Sequence, residues 1–388
     1  MVSAARRLSG CQGELGVAIV NPSKHPTVHR DGHRTQQNGR SAKRSSAAGA
    51  VLVTGGGGYI GCVLVRKLLD HGYSVRVLDQ LYWGRKPLAD VIDRIELVQG
   101  DIRDVRDEWL EGIDSVAHLA GLSNDPTAEY DPEANWEMNA LGTERLAAAC
   151  KRVGVPRLTF GSSCSIYDGL PAGADFDEEQ EVHPKGAYAE GKRYAEERLL
   201  EMADDDFCPV ILRQGTVFGF SPRMRYDLVV NTFVKDAMRG GELALHGEGR
   251  MWRPLVDVED VADAHIACLR APASAVKGEI FNVVHDNYQI RDLAMMVRSV
   301  MQRHSYDVRI AEVPAPPRIR DYRCSNAKMT RVVGFTPHVG IPASIASMVS
   351  WIRSNGYLEF DNPRFYNTQW MEILKERNGR HASVERVK

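Results

Sequence analysis

Short runs of apolar residues recur along the chain from Ala50 onward, and each is bounded by glycine, aspartate or serine. A strand with helices packed on both faces is apolar throughout, whereas a half-exposed strand alternates between apolar and polar residues. The runs therefore predict parallel strands in a sheet that is covered on both faces. They lie at residues 51–54, 75–79, 95–98, 115–119, 158–160 and 210–213.

Longer stretches between these runs repeat apolar residues at spacings of three and four, which is typical of amphipathic helices. The three clearest are residues 59–71, 135–153 and 188–202, and the first is followed by Gly72, a common helix stop. Alternating strands and helices predict an α/β fold built on a right-handed, doubly wound parallel sheet of the Rossmann type.

The pattern divides the chain into a nucleotide-binding domain at 49–215 and a smaller C-terminal α/β substrate lobe at 216–355. Glycine and proline become frequent in the second part, and we expect some of its strands to return to the main sheet. Residues 356–388 are polar and predict a loosely attached tail, which Trp370 could anchor in part.

Residues 1–48 are rich in serine, glycine, histidine, lysine and arginine and contain few large apolar side chains. Such a composition cannot offset the entropy of ordering the chain, so a disordered basic extension is predicted. A solvated extension is favoured over a tail that binds a phosphate-bearing partner, and a wrongly assigned translation start also fits.

The net charge of the 388-residue chain is -2, which argues against a nucleic-acid or membrane-surface partner. Seven cysteines are scattered without a CxxC pair, and no apolar stretch has the length of a membrane span or a signal peptide core. These features predict a cytoplasmic protein. His118 ends an apolar strand and is expected to be a core residue, and no spacing predicts a metal site.

The first predicted strand runs directly into the sequence TGGGGYIG at residues 54–61, and a helix follows. Glycines spaced three apart allow a tight turn and a close approach of backbone amides to a pyrophosphate at the helix N-terminus. A glycine-rich run alone could be a flexible turn. Its place between strand and helix favours a dinucleotide site formed by Gly55, Gly58, Tyr59, Ile60 and Gly61.

Asp79 ends the second strand about twenty residues later, where a carboxylate accepts hydrogen bonds from the ribose hydroxyls of adenosine. The same carboxylate repels a 2′-phosphate, so NAD is favoured over NADP, although Arg76 and Arg85 lie nearby. Asp101 by itself is equally consistent with a solvated loop residue. We predict further cofactor contacts from segments after the third and fourth strands, at Asp101, Ile102, Leu119, Ala120 and Gly121.

Tyr188 and Lys192 are four residues apart and therefore share one helix face. A free tyrosine titrates near a pH of about 10, so it needs a nearby cation to act as an acid or base near neutrality. The pair alone would suit many surface helices. However, it follows a hydroxyl-rich turn, residues 161–167, at the end of the fifth strand, the edge where open parallel sheets bind ligands.

With these motifs in this order, residues 50–353 resemble the extended short-chain dehydrogenase/reductases of the NAD-dependent nucleotide-sugar epimerase/dehydratase family. The resemblance implies that Ser163 polarises the substrate oxygen and that Tyr188 is the general base. It implies that Lys192 lowers the pKa of Tyr188 and holds the nicotinamide ribose, so that both residues also contact NAD. Asn139 matches the asparagine that supports the site from behind, and the family forms homodimers.

Dehydratases of the family carry an Asp-Glu pair directly after the polarising hydroxyl, but this chain has Cys164 and Ser165 there. Neither is an acid or base at neutral pH without strong perturbation, since a free thiol titrates near about 8.5. The substitution favours epimerisation over dehydration. Cys164 is more readily explained as a small wall residue than as a catalyst.

The remaining substrate contacts come from the second half of the chain. Arg253 matches the family's diphosphate-binding arginine, and a guanidinium suits that geometry. Arg223 and Arg225 could meet a diphosphate or be solvated. With the hydroxyls of the first half included, the predicted substrate-binding set is Ser163, Ser165, Thr216, Asn231, Arg253, Arg318 and Asp321.

The predicted function is NAD-dependent epimerisation of a nucleotide-linked hexose or uronate, at C4 through a transient 4-keto intermediate. A 4,6-dehydratase or a uronate decarboxylase begins with the same oxidation and is the alternative. A non-catalytic NAD sensor or scaffold would need only the glycines and Asp79, so an intact Ser163, Tyr188 and Lys192 argue against it.

Overall fold

The computed structural model describes residues 48–171, 173–314 and 320–385, with side chains described as far as residue 377. The predicted basic extension therefore lies outside the described residues except for Ala48. The described residues form one compact unit that contains both the predicted nucleotide-binding domain and the predicted substrate lobe.

Fourteen strands follow one another along the described chain. They are β1 (Ala50–Thr54), β2 (Ser74–Asp79), β3 (Ile95–Gln99), β4 (Ser115–His118), β5 (Arg157–Ser163), β6 (Asp175–Phe176), β7 (Cys208–Gln214), β8 (Thr216–Phe218), β9 (Glu242–His246), β10 (Trp252–Asp257), β11 (Glu279–Val283), β12 (Asp286–Gln289), β13 (Arg309–Val313) and β14 (Arg323–Cys324).

Twelve α-helices are described between and after these strands. They are α1 (Gly61–Asp70), α2 (Asp125–Tyr130), α3 (Pro132–Asn135), α4 (Gly142–Val153), α5 (Ala187–Met202), α6 (Val229–Met238), α7 (Val258–Arg270), α8 (Ala273–Val276), α9 (Ile290–Arg303), α10 (Ala327–Val333), α11 (Ile341–Ser354) and α12 (Asn367–Glu385).

The main sheet has seven parallel strands in the order β3-β2-β1-β4-β5-β7-β11. All six predicted apolar runs are strands of this sheet, and β11 joins it from the second half of the chain. The order reverses between β1 and β4, which is where doubly wound sheets bind their ligands. The predicted α/β fold with a doubly wound sheet is confirmed.

Helices cover both faces of the sheet, which explains why its central strands β1, β4 and β7 are buried along almost their whole length. On one face the strand residues pack with α1 and α7, where Leu64 and Ala262 are fully buried. On the other face they pack with α4 and α5, where Leu146 and Leu199 are fully buried. Burial on both faces removes the alternation that would mark a half-exposed strand.

The predicted helix at 135–153 is interrupted. A π-helical turn, Trp136–Leu141, connects α3 to α4, and π-helical turns are frequent at functional sites. This turn carries Asn139, whose side chain is fully buried.

The substrate lobe has its own core, in which α6, α9 and α11 pack against one another and α6 and α9 against β9. Its strands form a parallel β9–β13 pair and a three-stranded sheet in the order β12-β10-β8. A parallel β6–β14 pair links the first half of the chain to the second.

The structure differs from the prediction of a loosely attached tail after residue 356, because part of this segment packs against the protein. Trp370 on α12 is 7% exposed, and its indole N–H donates to the carbonyl of Tyr82 at 2.6 Å. Lys375 pairs with Asp131 at 2.8 Å. Only a few residues of this segment, Trp370 foremost, face the protein. The segment is therefore mostly polar, and its sequence gives little indication that it packs.

The described part of the chain contains neither a membrane-spanning helix nor a cluster of metal-binding side chains. None of its helices combines the length and apolar character that crossing a membrane requires. Within the same residues, no group of three or more histidines, cysteines and carboxylates is arranged to hold a metal ion.

Candidate active site

The glycine-rich loop between β1 and α1 is held in a conformation that depends on its glycines. Gly55 has a positive φ of +73°, and a β-carbon there would lie 2.7 Å from the backbone nitrogen of Ala120. A β-carbon on Gly61 would lie 2.1 Å from the carbonyl oxygen of Gly55. Both approaches are closer than any side chain allows, so the loop is a backbone-lined cradle at the start of α1.

Asp79 at the end of β2 faces this cradle. Its carboxylate accepts hydrogen bonds from the backbone N–H groups of Gly57 at 2.9 Å and Leu81 at 2.6 Å. Burial raises the pKa of Asp79, and the two backbone donors oppose that rise. The carboxylate is thus aligned beside the loop, as the prediction for a ribose-binding residue requires.

Two adjoining cavities open along the carboxyl edge of the sheet. The main cavity, of about 230 Å³, is lined by the glycine loop and by side chains from β5, α5 and the substrate lobe. The side cavity, of about 90 Å³, lies next to Asp79. Of the predicted cofactor and substrate residues, the main cavity is lined by Gly55, Gly58, Tyr59, Ile60, Gly61, Leu119, Gly121, Ser163, Tyr188 and Thr216, and the side cavity adds Asp79, Ile102 and Ala120.

Asp101 does not line either cavity. Its carboxylate accepts hydrogen bonds from the backbone N–H of Arg103 and from that residue's guanidinium, both at 2.9 Å. It therefore caps the short turn that positions Ile102, and Ile102 lines the side cavity in its place.

Ser163, Tyr188 and Lys192 converge at one end of the main cavity. Tyr188 shares a side-chain hydrogen bond with Ser163. Lys192 lies behind them, with its ammonium 5.9 Å from the centre of the Tyr188 ring and donating to the carbonyl of Gly161 at 2.9 Å. The sheet supplies Ser163 and Gly161 from β5, while one face of α5 supplies Tyr188 and Lys192.

Burial shifts both titratable groups away from their charged forms. It raises the pKa of Tyr188, against which the charge of Arg225 and the hydrogen bond with Ser163 act. It lowers the pKa of Lys192 to about 8, with Glu196 opposing the shift. The cation that lowers the pKa of Tyr188 in this structure is therefore Arg225 on the substrate lobe, which the sequence pattern did not single out for that role.

Asn139 supports the cavity from outside, as its π-helical position suggests. Its amide donates to the carbonyl of Leu122 at 2.7 Å and to the side chain of Asn135 at 2.6 Å. Asn135 in turn donates to the carbonyl of Ala187 at the start of α5, at 2.8 Å. The asparagine pair thereby ties the loop after β4 to the helix that carries Tyr188.

The two residues after Ser163 face the protein interior. The thiol of Cys164 donates to the carbonyl of Arg213 at 3.2 Å, and the Cys164 side chain is fully buried in a small apolar cluster. Ser165 is 2% exposed and does not line the cavities, although we expected it to bind substrate. Its backbone N–H donates to the hydroxyl of Ser163 at 3.1 Å, which fixes the serine that does line the main cavity.

Asn231 also orders the site instead of lining it. Its side chain is fully buried, accepts from the backbone N–H of Gly219 at 3.1 Å and donates to the carbonyl of Arg225 at 2.9 Å. These bonds occupy the amide, so the expected substrate contact is not seen, and Asn231 instead shapes the turn at 219–225.

Arg253 and Asp321, which were also predicted to bind substrate, do not line the main cavity. The guanidinium of Arg253 donates to the carbonyl of Trp252 at 2.8 Å and to that of Arg320, and burial lowers its pKa. Asp321 accepts from the backbone N–H of Trp252 at 2.8 Å and does not line the cavity. Arg318 lies outside the described residues.

Several lining residues were not predicted to bind ligand. Tyr82 and Trp83 follow Asp79 by only a few positions, so their place after β2 could have revealed them. No local signal marked the following residues, which reach the cavity from distant parts of the chain: Ser123, Arg320, Tyr322, Asn367 and Met371. Arg223 and Arg225, for which the sequence left diphosphate binding and solvation equally open, also line the cavity.

The residues present fit a bound dinucleotide. The cradle between Gly55 and Gly61 leaves room for a pyrophosphate where side chains would block it, and Asp79 lies within hydrogen-bonding distance of the same loop. The amide nitrogen of Gln80, next to Asp79, is buried without a partner. Together these groups could hold the two ends of an adenosine diphosphate moiety.

Comparison with known proteins agrees with this geometry. The model of the NAD dependent epimerase/dehydratase family matches residues 51–283. The chain is 31% identical over 321 residues to a UDP-glucose 4-epimerase of Mycolicibacterium smegmatis, covering 78% of this chain and 98% of the relative. It is 25% identical over 309 residues to UDP-glucuronic acid decarboxylase 1 of Danio rerio, covering 78% and 72%.

A solved structure extends the similarity to a third activity. The dTDP-glucose 4,6-dehydratase DesIV of Streptomyces venezuelae, determined with NAD bound, superposes with a TM-score of 0.70 at 27% identity. The match covers 80% of this chain and 99% of the dehydratase. About a fifth of this chain thus has no counterpart in that structure.

Proposed function

Because the chain belongs to the NAD dependent epimerase/dehydratase family, we propose that it epimerises a nucleotide-linked hexose or uronate at C4. Membership makes it an NAD-dependent enzyme of the class that contains nucleotide-sugar epimerases, dehydratases and decarboxylases. The observation that carries the finer proposal is the lining of the main cavity, which combines Ser163 and Tyr188 but includes no carboxylate among the described residues.

Tyr188 is the proton acceptor in this reaction. In its phenolate form it takes the proton of the sugar C4 hydroxyl and becomes the neutral phenol, while Ser163 donates a hydrogen bond to the same oxygen and holds it in place. The charge of Arg225 stabilises the phenolate that accepts this proton. In the return step Tyr188 gives the proton back to the oxygen of the 4-keto sugar.

The cofactor is NAD, which when bound accepts the hydride from C4 and returns it. Inversion requires that the keto sugar presents its other face before the hydride returns. The main cavity is also lined by Gly215, Thr216 and Val217, which have no side chain or a small one. They leave space in which the sugar ring can turn.

Dehydration needs a second acid–base pair to remove water from the sugar. The positions that follow Ser163 hold Cys164 and Ser165, and both side chains are buried away from the cavity. Their burial adds a geometric reason to the chemical one, because a group that does not reach the substrate cannot exchange a proton with it.

A uronate decarboxylase is the second candidate. It shares the oxidation at C4, and the resulting 4-keto acid loses carbon dioxide without a further acid–base pair. The feature that favours it is Arg320, whose guanidinium lines the main cavity and could pair with a sugar carboxylate, although it is also paired with Asp125.

Incubation of the enzyme with UDP-, GDP-, CDP- and dTDP-linked hexoses and uronates separates these activities. We expect a product of unchanged mass whose NMR coupling constants show an inverted C4. A product that has lost water would overturn the epimerase proposal in favour of dehydration, and release of carbon dioxide from a uronate would identify a decarboxylase.

We also propose that the enzyme is a cytoplasmic homodimer, as the family resemblance implies. Trp136 and Tyr130 remain exposed near the helices beside the active site, and their aromatic surface would suit a subunit interface. The six cysteines in the described residues are all unpaired, which suits a reducing compartment. Sedimentation equilibrium of the purified chain should give twice the chain mass, and a monomer at micromolar concentration would contradict the dimer.

A further inference from the structure

The turn at residues 219–225 lies directly against the glycine loop. The hydroxyl of Tyr59 donates to the carbonyl of Gly219 at 2.6 Å, and the hydroxyl of Ser221 donates to the carbonyl of Tyr59 at 2.6 Å. Ser221 also contacts the thiol of Cys62 in the first turn of α1, at 3.0 Å. Whatever side chains this turn carries are therefore held opposite the cradle at the helix N-terminus.

Arg223 is carried by this turn and is buried without a matching carboxylate. It is 4% exposed and lines the main cavity, and two of its three guanidinium nitrogens, Nε and one Nη, have no hydrogen-bond partner. The remaining nitrogen donates to the side chain of Asn367. The guanidinium carbon lies 3.5 Å from the ring centre of Trp83, so the ring supports the cation from one side.

Arg225, two residues later, is held differently. It is 6% exposed and forms a two-pronged ion pair with Asp227, at 2.8 and 3.1 Å, and donates to the hydroxyl of Ser123 at 3.2 Å. Asp227 therefore balances one of the two arginines. The other, Arg223, is a buried guanidinium without an ion pair among the described residues, which is costly unless an anion contacts it.

Arg223 is held in place by residues from parts of the chain that are far apart in the sequence. The side chain of Asn367 on α12 accepts its hydrogen bond. The backbone N–H of the same asparagine donates to the carboxylate of Asp227 at 3.1 Å, and its side-chain amide donates to the hydroxyl of Ser123 at 2.8 Å. Trp83 comes from the loop after β2, close to Asp79. These neighbours belong to the cofactor side of the cavity, whereas Arg253, the family's diphosphate-binding arginine, contacts a separate loop through the carbonyl of Arg320.

We propose that Arg223 binds the pyrophosphate of NAD from the side opposite the glycine loop, with Arg225 positioned by Asp227 to add its charge. The backbone N–H groups of the loop and the N-terminus of α1 would then face one side of the anion, and a guanidinium the other. A bound pyrophosphate supplies both the missing charge and the acceptors for the unpaired nitrogens.

The test compares Arg223→Met and Arg223→Lys with Arg250→Met, a control in the same lobe whose side chain is exposed and pairs only with Glu248. Calorimetric titration of the full-length protein with NAD, ADP-ribose, adenosine and UDP measures each dissociation constant. For Arg223→Met we expect the values for NAD and ADP-ribose to rise by about 10- to 100-fold. Adenosine and UDP should bind as they do to the unaltered chain, and Arg250→Met should change none of the four.

The lysine variant keeps the charge but loses the planar fork, so its loss of NAD affinity should be smaller than that of the methionine variant. Unchanged binding of NAD and ADP-ribose by Arg223→Met would overturn the proposal. Weakened UDP binding with unchanged NAD binding would also overturn it, because the arginine would then belong to the diphosphate of the substrate.

Thermal unfolding without added ligand separates this role from a structural one. If Arg223 serves the cofactor, removing an unpaired buried charge should leave the melting temperature of Arg223→Met unchanged or raise it, while the stabilisation by added NAD shrinks. A lowered melting temperature with undiminished stabilisation by NAD would show that Arg223 only packs against Trp83 and Asn367, and would refute the proposal.

Discussion

Replacing Tyr188 with phenylalanine should reduce turnover by about 1,000-fold and leave NAD bound, because the ring stays in place while the only predicted proton acceptor is lost. Tyr188 and Ser163 both line the main cavity, and phenylalanine lacks the hydroxyl oxygen that takes the C4 proton. The measurement is the rate of product formation with a substrate found in the nucleotide-sugar panel, together with the NAD released on denaturation.

Tyr194→Phe is the matched control for this variant. Tyr194 is on the same helix but its hydroxyl donates to Glu144 at 2.7 Å, away from the cavities. We expect it to retain activity within about twofold, since it loses a single partly exposed hydrogen bond. If Tyr188→Phe also kept nearly full turnover with NAD still bound, the proposed mechanism would be wrong. If the unaltered chain bound NAD but turned over none of the nucleotide sugars, the non-catalytic alternative would gain support.

Gly61→Ala should weaken NAD binding by at least about 100-fold. The new β-carbon would lie 2.1 Å from the carbonyl oxygen of Gly55, so the backbone of the loop must move away from the start of α1. A displaced loop no longer directs its N–H groups at the pyrophosphate, and the loss of two or more charge-assisted hydrogen bonds accounts for the size of the effect. Titration with NAD gives the dissociation constant, and circular dichroism shows whether the fold persists.

Gly340→Ala provides the control for this substitution. Gly340 precedes α11 in the substrate lobe, and a β-carbon there would meet nothing closer than the Pro342 ring at 4.0 Å. Its NAD affinity should equal that of the unaltered chain. Stoichiometric NAD in purified Gly61→Ala would show that the loop tolerates a β-carbon and that the cofactor does not depend on this close approach.

Gly61 and Tyr188 show which kind of site residue can be predicted from the sequence alone. The glycine spacing and the Tyr188–Lys192 spacing each reflect a local requirement, a backbone turn in one case and a shared helix face in the other. A requirement that involves only neighbouring residues produces a characteristic spacing along the chain, so it can be recognised in the sequence. The same holds for the six apolar runs, all of which are strands of the main sheet.

Residues whose role depends on partners far away in the sequence show no such spacing. Ser165 and Asn231 have the polarity of substrate-binding residues, but the hydroxyl of the first is buried and the amide of the second is used by the backbone. Conversely, Asn367 and Trp370 belong to a segment whose composition predicts a polar tail. Asn367 nevertheless lines the main cavity, and Trp370 donates a hydrogen bond to the carbonyl of Tyr82. Whether a side chain is buried depends on contacts with residues more than a hundred positions away in the sequence.

The amino-acid sequence by itself determined the doubly wound sheet, and it predicted the glycine cradle, Asp79 and the Ser163–Tyr188–Lys192 set, because periodicity and short-range spacing express these directly. Only the tertiary structure decided that Arg225 is the cation affecting the pKa of Tyr188 and that Arg223 is buried opposite the glycine loop. Electrostatic environment depends on distance in space and on burial, and neither is a property of neighbouring residues along the chain.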